Sequence, residues 1–260
     1  MPTNSSPSEE LREFAEDPAA WGEIDPRTGL ERVLTDRYCL LLGDGFTQVS
    51  RLRLDPDDVA AALHEVREQV ASLARKRVTW NVGSSATPSD LVDRLVAHGL
   101  VAKDHLGALV ATADPPAAPA GVEARRVRDA EEFALAESIG ARVFHGGEPQ
   151  QNVEERYARE LGDRGARTYL AFVDGVPVGA ARMFVQPGDP AAVLVSGGVL
   201  EHARGRGAYR ALVRARWDDA VAAGFEALTV QAGPMSRPIL ERVGFRCVAE
   251  IEVLLDPTTC

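Results

Sequence analysis

One stretch, Val193-Leu-Val-Ser-Gly-Gly-Val-Leu-Glu-His-Ala-Arg-Gly-Arg-Gly-Ala-Tyr-Arg-Ala-Leu-Val213, limits most severely what this chain can fold into. It opens as a buried strand, passes through a glycine loop and enters a helix. Tyr209, Leu212, Val213, Trp217, Ala220 and Val221 fall on one face of that helix. A strand that feeds a glycine loop at a helix N-terminus is an anion site, because free backbone amides and the positive end of the helix dipole converge there. Gly205 and Gly207 permit positive φ and close approach of a diphosphate, while Arg204 and Arg206 add charge. The dinucleotide pattern G-x-G-x-x-G would need glycine where Arg210 stands. No Gly-Lys-Ser/Thr follows, which excludes a nucleoside-triphosphate loop. Gly197-Gly198 inside the strand signals a bulge where a ligand meets backbone, or else a tight strand crossing without one.

Around this stretch the chain alternates strand and helix signals. They predict an α/β fold of layered α+β character, with a mixed sheet flanked by helices. Ala111-Thr-Ala-Asp-Pro-Pro-Ala-Ala-Pro-Ala-Gly121 reads as an exposed linker, since three prolines and a glycine among small residues cannot hold a regular element. The division is therefore expected between 1–118 and 119–260. Each half shows hairpin, helix, strand, short helix, glycine-apolar pair and final strand in that order, which points to an internal duplication or to the chance recurrence of α/β elements. The hairpin signals are Gly43-Asp44-Gly45 and Asp174-Gly175. In the first half, Arg51-Leu-Arg-Leu-Asp-Pro-Asp-Asp58 occupies the place of the glycine loop. It has no glycine, and its carboxylates would repel a pyrophosphate at the start of the helix that carries Val59, Leu63, Val66, Val70 and Leu73.

Composition enters as an exclusion. Against 29 basic residues stand 39 acidic ones, a net charge of −10, which argues against a broad nucleic-acid or anionic-membrane surface. Cys39, Cys247 and Cys260 are far apart, so neither a disulfide scaffold nor a metal site is expected. Met1 to Glu10 lacks the apolar core of a signal peptide, and no run approaches a membrane span. A cytoplasmic protein is expected.

At Arg204-Gly-Arg-Gly207-Ala-Tyr209, with Val199 five residues upstream, the sequence resembles the GNAT acetyltransferases, whose signature is Arg/Gln-x-x-Gly-x-Gly/Ala. Ser236-Arg-Pro-Ile-Leu-Glu-Arg-Val-Gly-Phe245 is similar to that family's later helix and Gly-Phe run. The resemblance covers roughly Val122 to Leu255. It implies a GNAT-like C-terminal half and, through the repeat, a degenerate GNAT-like N-terminal half without a cofactor loop. It further implies acetyl-CoA as cosubstrate, held by the backbone from Gly205 and Arg206 through Gly207, Ala208 and Tyr209 to Arg210, with Arg204 beside it. The pantetheine arm would run along Gly197, Gly198 and Val199. The acceptor implied is a small-molecule or peptide amine, with no metal.

The pattern also departs from the family. Tyr209 stands where the signature has Gly or Ala, so its side chain must turn away from the phosphates. Leu240 stands where many members carry a tyrosine acid and Thr229 where they often carry a glutamate; neither can exchange protons near neutral pH. Glu201 could deprotonate an ammonium, or be a solvated loop carboxylate. Ser236 could donate a proton, or simply cap a helix. His145, Glu148, Glu154 and Glu155 lie where the family forms its acceptor pocket, and His202 adjoins the loop. Two readings follow: an N-acetyltransferase working by direct attack, in which placing the reactants together supplies much of the rate, and a non-catalytic acyl-CoA-binding sensor or partner-binding module.

Overall fold

The structure is a computed structural model that describes residues 6–24, 29–43, 46–71, 77–144, 152–162 and 165–259. The chain forms two compact units, neither continuous in sequence.

The first unit combines Ser8–Leu109 with Gln231–Pro238 and Cys247–Cys260. It opens with α1 (Glu9–Glu16), whose first turn is capped by Ser8 Oγ accepting from the Leu11 amide at 3.2 Å. Its sheet runs β1-β2-β3-β4-β11-β5, made of β1 (Glu31–Leu34), β2 (Cys39–Gly43), β3 (Phe46–Ser50), β4 (Val78–Gly83), β5 (Val101–Ala111) and β11 (Arg246–Asp256). β2 and β3 pair antiparallel out to Gly43↔Phe46; the Asp44-Gly45 turn itself lies outside the described residues. α2 (Val59–Ala71) buries Val59, Leu63, Val66 and Val70 as its apolar spacing requires, with Ala62 between them; Leu73 lies outside the described residues. These side chains pack on Tyr38, Leu40, Trp80 and, on α3 (Leu91–Ala97), Leu91 and Leu95.

The last strand of the chain belongs to this unit. β11 pairs antiparallel with β4, from Ile251↔Gly83 to Asp256↔Val78, and Leu254 enters the same core. Its end is fastened to α2. Arg67 donates to Asp256 through Nε (2.7 Å) and Nη2 (3.0 Å), and Thr258 adds its amide and hydroxyl to the same carboxylate. β5 starts five residues before the expected Leu106, and Val101 to His105 are all exposed. Without apolar alternation these residues carry no strand signal. They lie beside β11 in the sheet, and a side chain adds to that pairing: His105 lies between Glu252 (2.7 Å) and Glu250 (3.0 Å) of β11.

The second unit is built of Val110–Val230 with Ile239–Arg246, so the boundary read from the sequence falls inside its long segment. Its sheet runs β10-β9-β8-β7-β6, made of β6 (Val122–Arg126), β7 (Ala166–Val173), β8 (Val176–Phe184), β9 (Ala192–Val199) and β10 (Leu228–Ala232). β6 to β9 are antiparallel neighbours and β10 runs parallel to β9. The β7–β8 hairpin turns through Asp174 (φ 51°) and Gly175 (φ 78°), two positive values that match the right-handed twist of the strands and suit an Asp-Gly pair. α4 (Ala130–Phe144) lays Ala136 and Ile139 on Leu170, Ala180 and Leu200. α5 (Val153–Gly162) is held to the sheet by Glu160, which accepts from the Thr168 amide (2.9 Å) and hydroxyl (2.6 Å) and from Arg182 Nη2 (3.2 Å). α6 (Ala208–Ala222) buries Ala208, Leu212, Val213, Trp217 and Ala220, but Val221, expected on the same face, is half exposed.

The expected linker is not free. Asp114 accepts from Trp217 Nε1 at 2.7 Å, and the Pro115 carbonyl accepts from Arg214 Nη1 at 3.1 Å. Further along, Pro119 lies so close to Gly207 that a β-carbon there would sit 2.5 Å from its Cγ. Proline removes the amides that would otherwise need partners, so a segment without regular structure can still lie along a helix.

Candidate functional site

The site begins with an interruption of β9. Gly198 pairs with Ala180 of β8, but Val195 pairs with Arg182, so β9 carries one residue more than its partner across Ser196 and Gly197. Ser196 adopts φ 50°, the left-handed turn of the backbone that such a bulge demands. On its other side β9 pairs with β10 only at Ala192↔Leu228 and Val193↔Thr229. Beyond Val193 the backbone edge of β9 has no ladder partner in β10. The paired glycines thus mark a bulge, and each also admits a close neighbour. A β-carbon on Gly198 would meet Val143 of α4 at 2.5 Å; one on Gly197 would meet Tyr209 at 3.3 Å and Arg216 at 3.4 Å. The bulge expected at the paired glycines is present, and each glycine also has a close neighbour.

From Val199 the chain makes a short 3-10 turn at Glu201–Ala203 and reaches Gly205 (φ 78°) and Gly207 (φ 90°). Gly207 is the N-cap of α6. The amides of Gly207, Ala208, Tyr209 and Arg210 are the four that a helix leaves without an internal acceptor. Gly207 is restricted twice, by its positive φ and by Pro119 against its Cα. Arg204 turns back, Nε donating to the Val199 carbonyl at 3.4 Å, and stays exposed. Arg206 is ion-paired with Asp174 of the β7–β8 turn at 2.6 Å, so part of the charge expected at the loop is already balanced. Arg210 presents a buried Nε–H that has no acceptor among the described residues. An orphaned cationic donor in the first turn of α6 fits a bound phosphate, whose oxygen would supply the missing acceptor.

Tyr209 does turn away from the loop. Its ring lies against Gly197 and beside Arg216, where burial raises the phenol pKa and the guanidinium opposes that rise. Leu240, on α7 (Arg237–Arg242), is fully buried, its carbonyl closing the helix by accepting from Val243 and Phe245. Thr229 is equally buried on β10. Neither position supplies a proton donor or a base.

Of the catalytic candidates, Glu201 is exposed in the 3-10 turn of the second unit. Ser236 belongs to the first unit, its hydroxyl donating to the Gly233 carbonyl at 3.4 Å. His202, Glu154 and Glu155 are exposed, and His145 and Glu148 lie outside the described residues. Among the described residues no cluster of His, Cys, Asp and Glu is placed to hold a metal ion.

The sequence reading missed Arg216. It sits on α6 between Val213 and Trp217 with only 1% of its surface exposed. Its Nε donates to the Leu212 carbonyl (3.0 Å) and its Nη1 to the Arg182 carbonyl of β8 (3.2 Å), and the guanidinium also interacts with the Tyr209 phenol. The signal was present: positions 209, 212, 213, 216, 217 and 220 all fall on the buried face, and a charge at one of them needs a reason.

A β-bulge in β9, a strand edge without a ladder partner, a glycine loop and a helix N-terminus follow one another as a single strand–loop–helix unit. Residues 131–245 match the model of the Acetyltransferase (GNAT) family. No curated protein matches the sequence. Among solved structures, a GCN5-related N-acetyltransferase from Kribbella flavida superposes with a TM-score of 0.71 at 22% identity, covering 97% of each chain. A tandem GNAT protein from the clavulanic acid biosynthesis pathway superposes with a TM-score of 0.60 at 18% identity, over 97% of this chain and 89% of that one. A GCN5-related N-acetyltransferase from Sphaerobacter thermophilus gives 0.59 at 17% identity, over 86% and 81%. Likenesses this distant in sequence establish the fold: mixed sheets flanked by helices, as in GNAT proteins.

Proposed function

We propose that the chain is an acetyl-CoA-dependent N-acetyltransferase acting on a primary amine of a small molecule or peptide. The observation that carries this reading is the continuity of three features in the matched stretch. The edge of β9 is open from the bulge to Val199, the loop carries Gly205 and Gly207 in left-handed conformations, and the amides of Gly207 to Arg210 are unsatisfied at the start of α6. Bound acetyl-CoA supplies an acyl group activated as a thioester. Gly205 to Arg210, with Arg204, would hold its pyrophosphate, and Gly197 to Val199 would pair with the amides of its pantetheine arm. A backbone amide near Val199 would polarise the thioester carbonyl.

Nothing at positions 229 or 240 moves a proton, so much of the rate would come from holding amine and thioester together. Glu201 is the carboxylate nearest in sequence to β9 and is the residue we assign to accept a proton from the incoming ammonium, directly or through water. Ser236 is the second candidate, as a donor. The N-terminal half would be a degenerate GNAT-like unit without its own cosubstrate. No described helix is long and apolar enough to cross a membrane; we place the protein in the cytoplasm with no nucleic-acid partner.

The test is release of free CoA over a panel of amines, with Gly205 and Gly207 variants as controls. Turnover with at least one amine, lost in both variants, supports the enzyme. Binding of acetyl-CoA without release from any amine would leave the sensor reading, which the burial of Leu240 and Thr229 favours.

A further inference from the structure

A guanidinium withdrawn from water without a carboxylate partner is costly, and buried charges are ordinarily paired. Arg216 breaks that expectation at a particular place. The Arg182 carbonyl that its Nη1 reaches belongs to the residue at which the β8–β9 register shifts, and its Nη2 lies 3.4 Å from where a Gly197 side chain would begin. The guanidinium therefore underlies the bulge from both strands, and glycine leaves no side chain between it and the backbone of β9. No ion pair joins Arg216 to any described carboxylate. The titratable groups around it are the Tyr209 phenol on α6 and the Tyr169 phenol on β7. Tyr169 donates to Asp219 at 2.7 Å, and Asp219 is itself paired with Arg167 at 3.7 Å. Tyr209, the residue that departs from the family signature, fills the remaining space under Gly197.

We propose that Arg216 is the electrostatic positioning residue of this site, fixing the β9 bulge and presenting a positive charge beneath Gly197 that stabilises the sulfur anion leaving the thioester. The inference rests on the acyl-CoA reading above. In the transfer, the amine nitrogen forms the new bond to the carbonyl carbon, the carbon–sulfur bond breaks, and its electron pair leaves on sulfur. The nitrogen loses two protons: the first passes from the ammonium to the base and on to solvent, and the second, shed as the amide forms, goes to the thiolate, giving amide and free CoA. Leucine at 240 supplies no acid, and a fixed, buried cation lowers the energy of the sulfur anion before it is protonated. Arg216 touches backbone rather than the reacting atoms, so it acts by placement and field.

The experiment titrates the thiol of CoA bound to the full-length protein, read as thiolate absorbance above that of the ligand-free protein, with binding followed by calorimetry. In the wild type the bound thiol is expected to ionise about one pH unit below that of free CoA. Arg216→Met should return it to the free value or above, and Arg216→Lys, which keeps the charge, should hold most of the shift. Bound CoA whose thiol ionises at or above the free value in the wild type overturns the inference, and that measurement needs no variant to fold. Equal thiol pKa values in wild type and Arg216→Met, with CoA bound to both, overturn it as well. Failure of the wild type to bind CoA would instead remove the acyl-CoA reading on which the inference stands.

Discussion

The two units each contain a junction where a strand gives way to a long helix, and the two junctions are built oppositely. Between β3 and α2, Arg51 to Asp58 uses up its own backbone. The Arg51 amide donates to Asp17 Oδ1 (2.9 Å), Arg53 to the Arg37 carbonyl (2.7 Å) and Leu54 to the Thr87 carbonyl (3.1 Å), while Leu52 and Leu54 are buried. Asp55, Asp57 and Asp58 place negative charge at the helix start. Between β9 and α6, two glycines hold the backbone open, the first helical amides are left over and arginines flank them. One junction is a finished piece of structure, and the other is the one we propose as a binding site. The same topological position carries either outcome, so the fold alone does not assign the activity.

That contrast can be broken in four places, the largest expected effect first. The finished unit depends on its internal ties, and Arg67→Met, which strands the buried Asp256 carboxylate, should cost about 3 kcal/mol of stability in denaturant titration. Burial pushes Asp256 upward, but the hydrogen bonds from Arg67 and Thr258 outweigh it and hold the carboxyl below its ordinary value. The stabilisation is therefore present above the unfolded pKa and fades as pH falls through the folded one. Acetyl-CoA affinity should be unaffected. In the open junction, Gly207→Glu combines a strained φ, a clash with Pro119 and a repelled pyrophosphate; calorimetry should show about a 100-fold loss of affinity, or about 2.7 kcal/mol.

The third place is Asp17, the acceptor for the Arg51 amide. Burial raises its pKa from 3.8 to about 6, against the hydrogen bond from Arg51, which lowers it. A raised carboxylate binds a proton more tightly folded than unfolded. Stability should then fall by about 2 kcal/mol as pH rises from about 4 to about 6. Asp17→Asn should flatten the thermal melting profile across that window. The smallest effect belongs to Asp174→Asn, which frees the exposed Arg206 and should tighten acetyl-CoA binding only two- to threefold, by an amount that shrinks with added salt.

How far the sequence could carry this account follows the same contrast. Local signals were legible. Asp174-Gly175 announces its turn through two positive φ values, the apolar spacing of α2 announces its buried face, and Gly205 and Gly207 announce the loop. What depended on distant neighbours was not. Val101 to His105 show no alternation because they are exposed on both faces, and their strand is explained by its place beside β11, whose Glu250 and Glu252 hold His105. The proline-rich segment looked like a spacer because its partners, Trp217, Arg214 and Gly207, lie about a hundred residues downstream. α1 was legible and passed over: Ser8 and the run Leu11, Phe14, Ala15 carry a cap and one buried face. Arg206 seemed a free phosphate ligand until its pairing with Asp174 was seen. Arg216 looked like one more helix charge, since its meaning lies in the register shift of a neighbouring strand.

The central claim is that the α6 junction, and not its counterpart at α2, binds the acyl donor. Calorimetric titration of the full-length protein with acetyl-CoA tests it most directly, comparing wild type, Gly207→Glu and a double variant carrying Asp57→Lys and Asp58→Lys. The account predicts one binding event per chain, lost in Gly207→Glu and unchanged in the double variant. Binding that survives Gly207→Glu, or that disappears with the two aspartates, would contradict it.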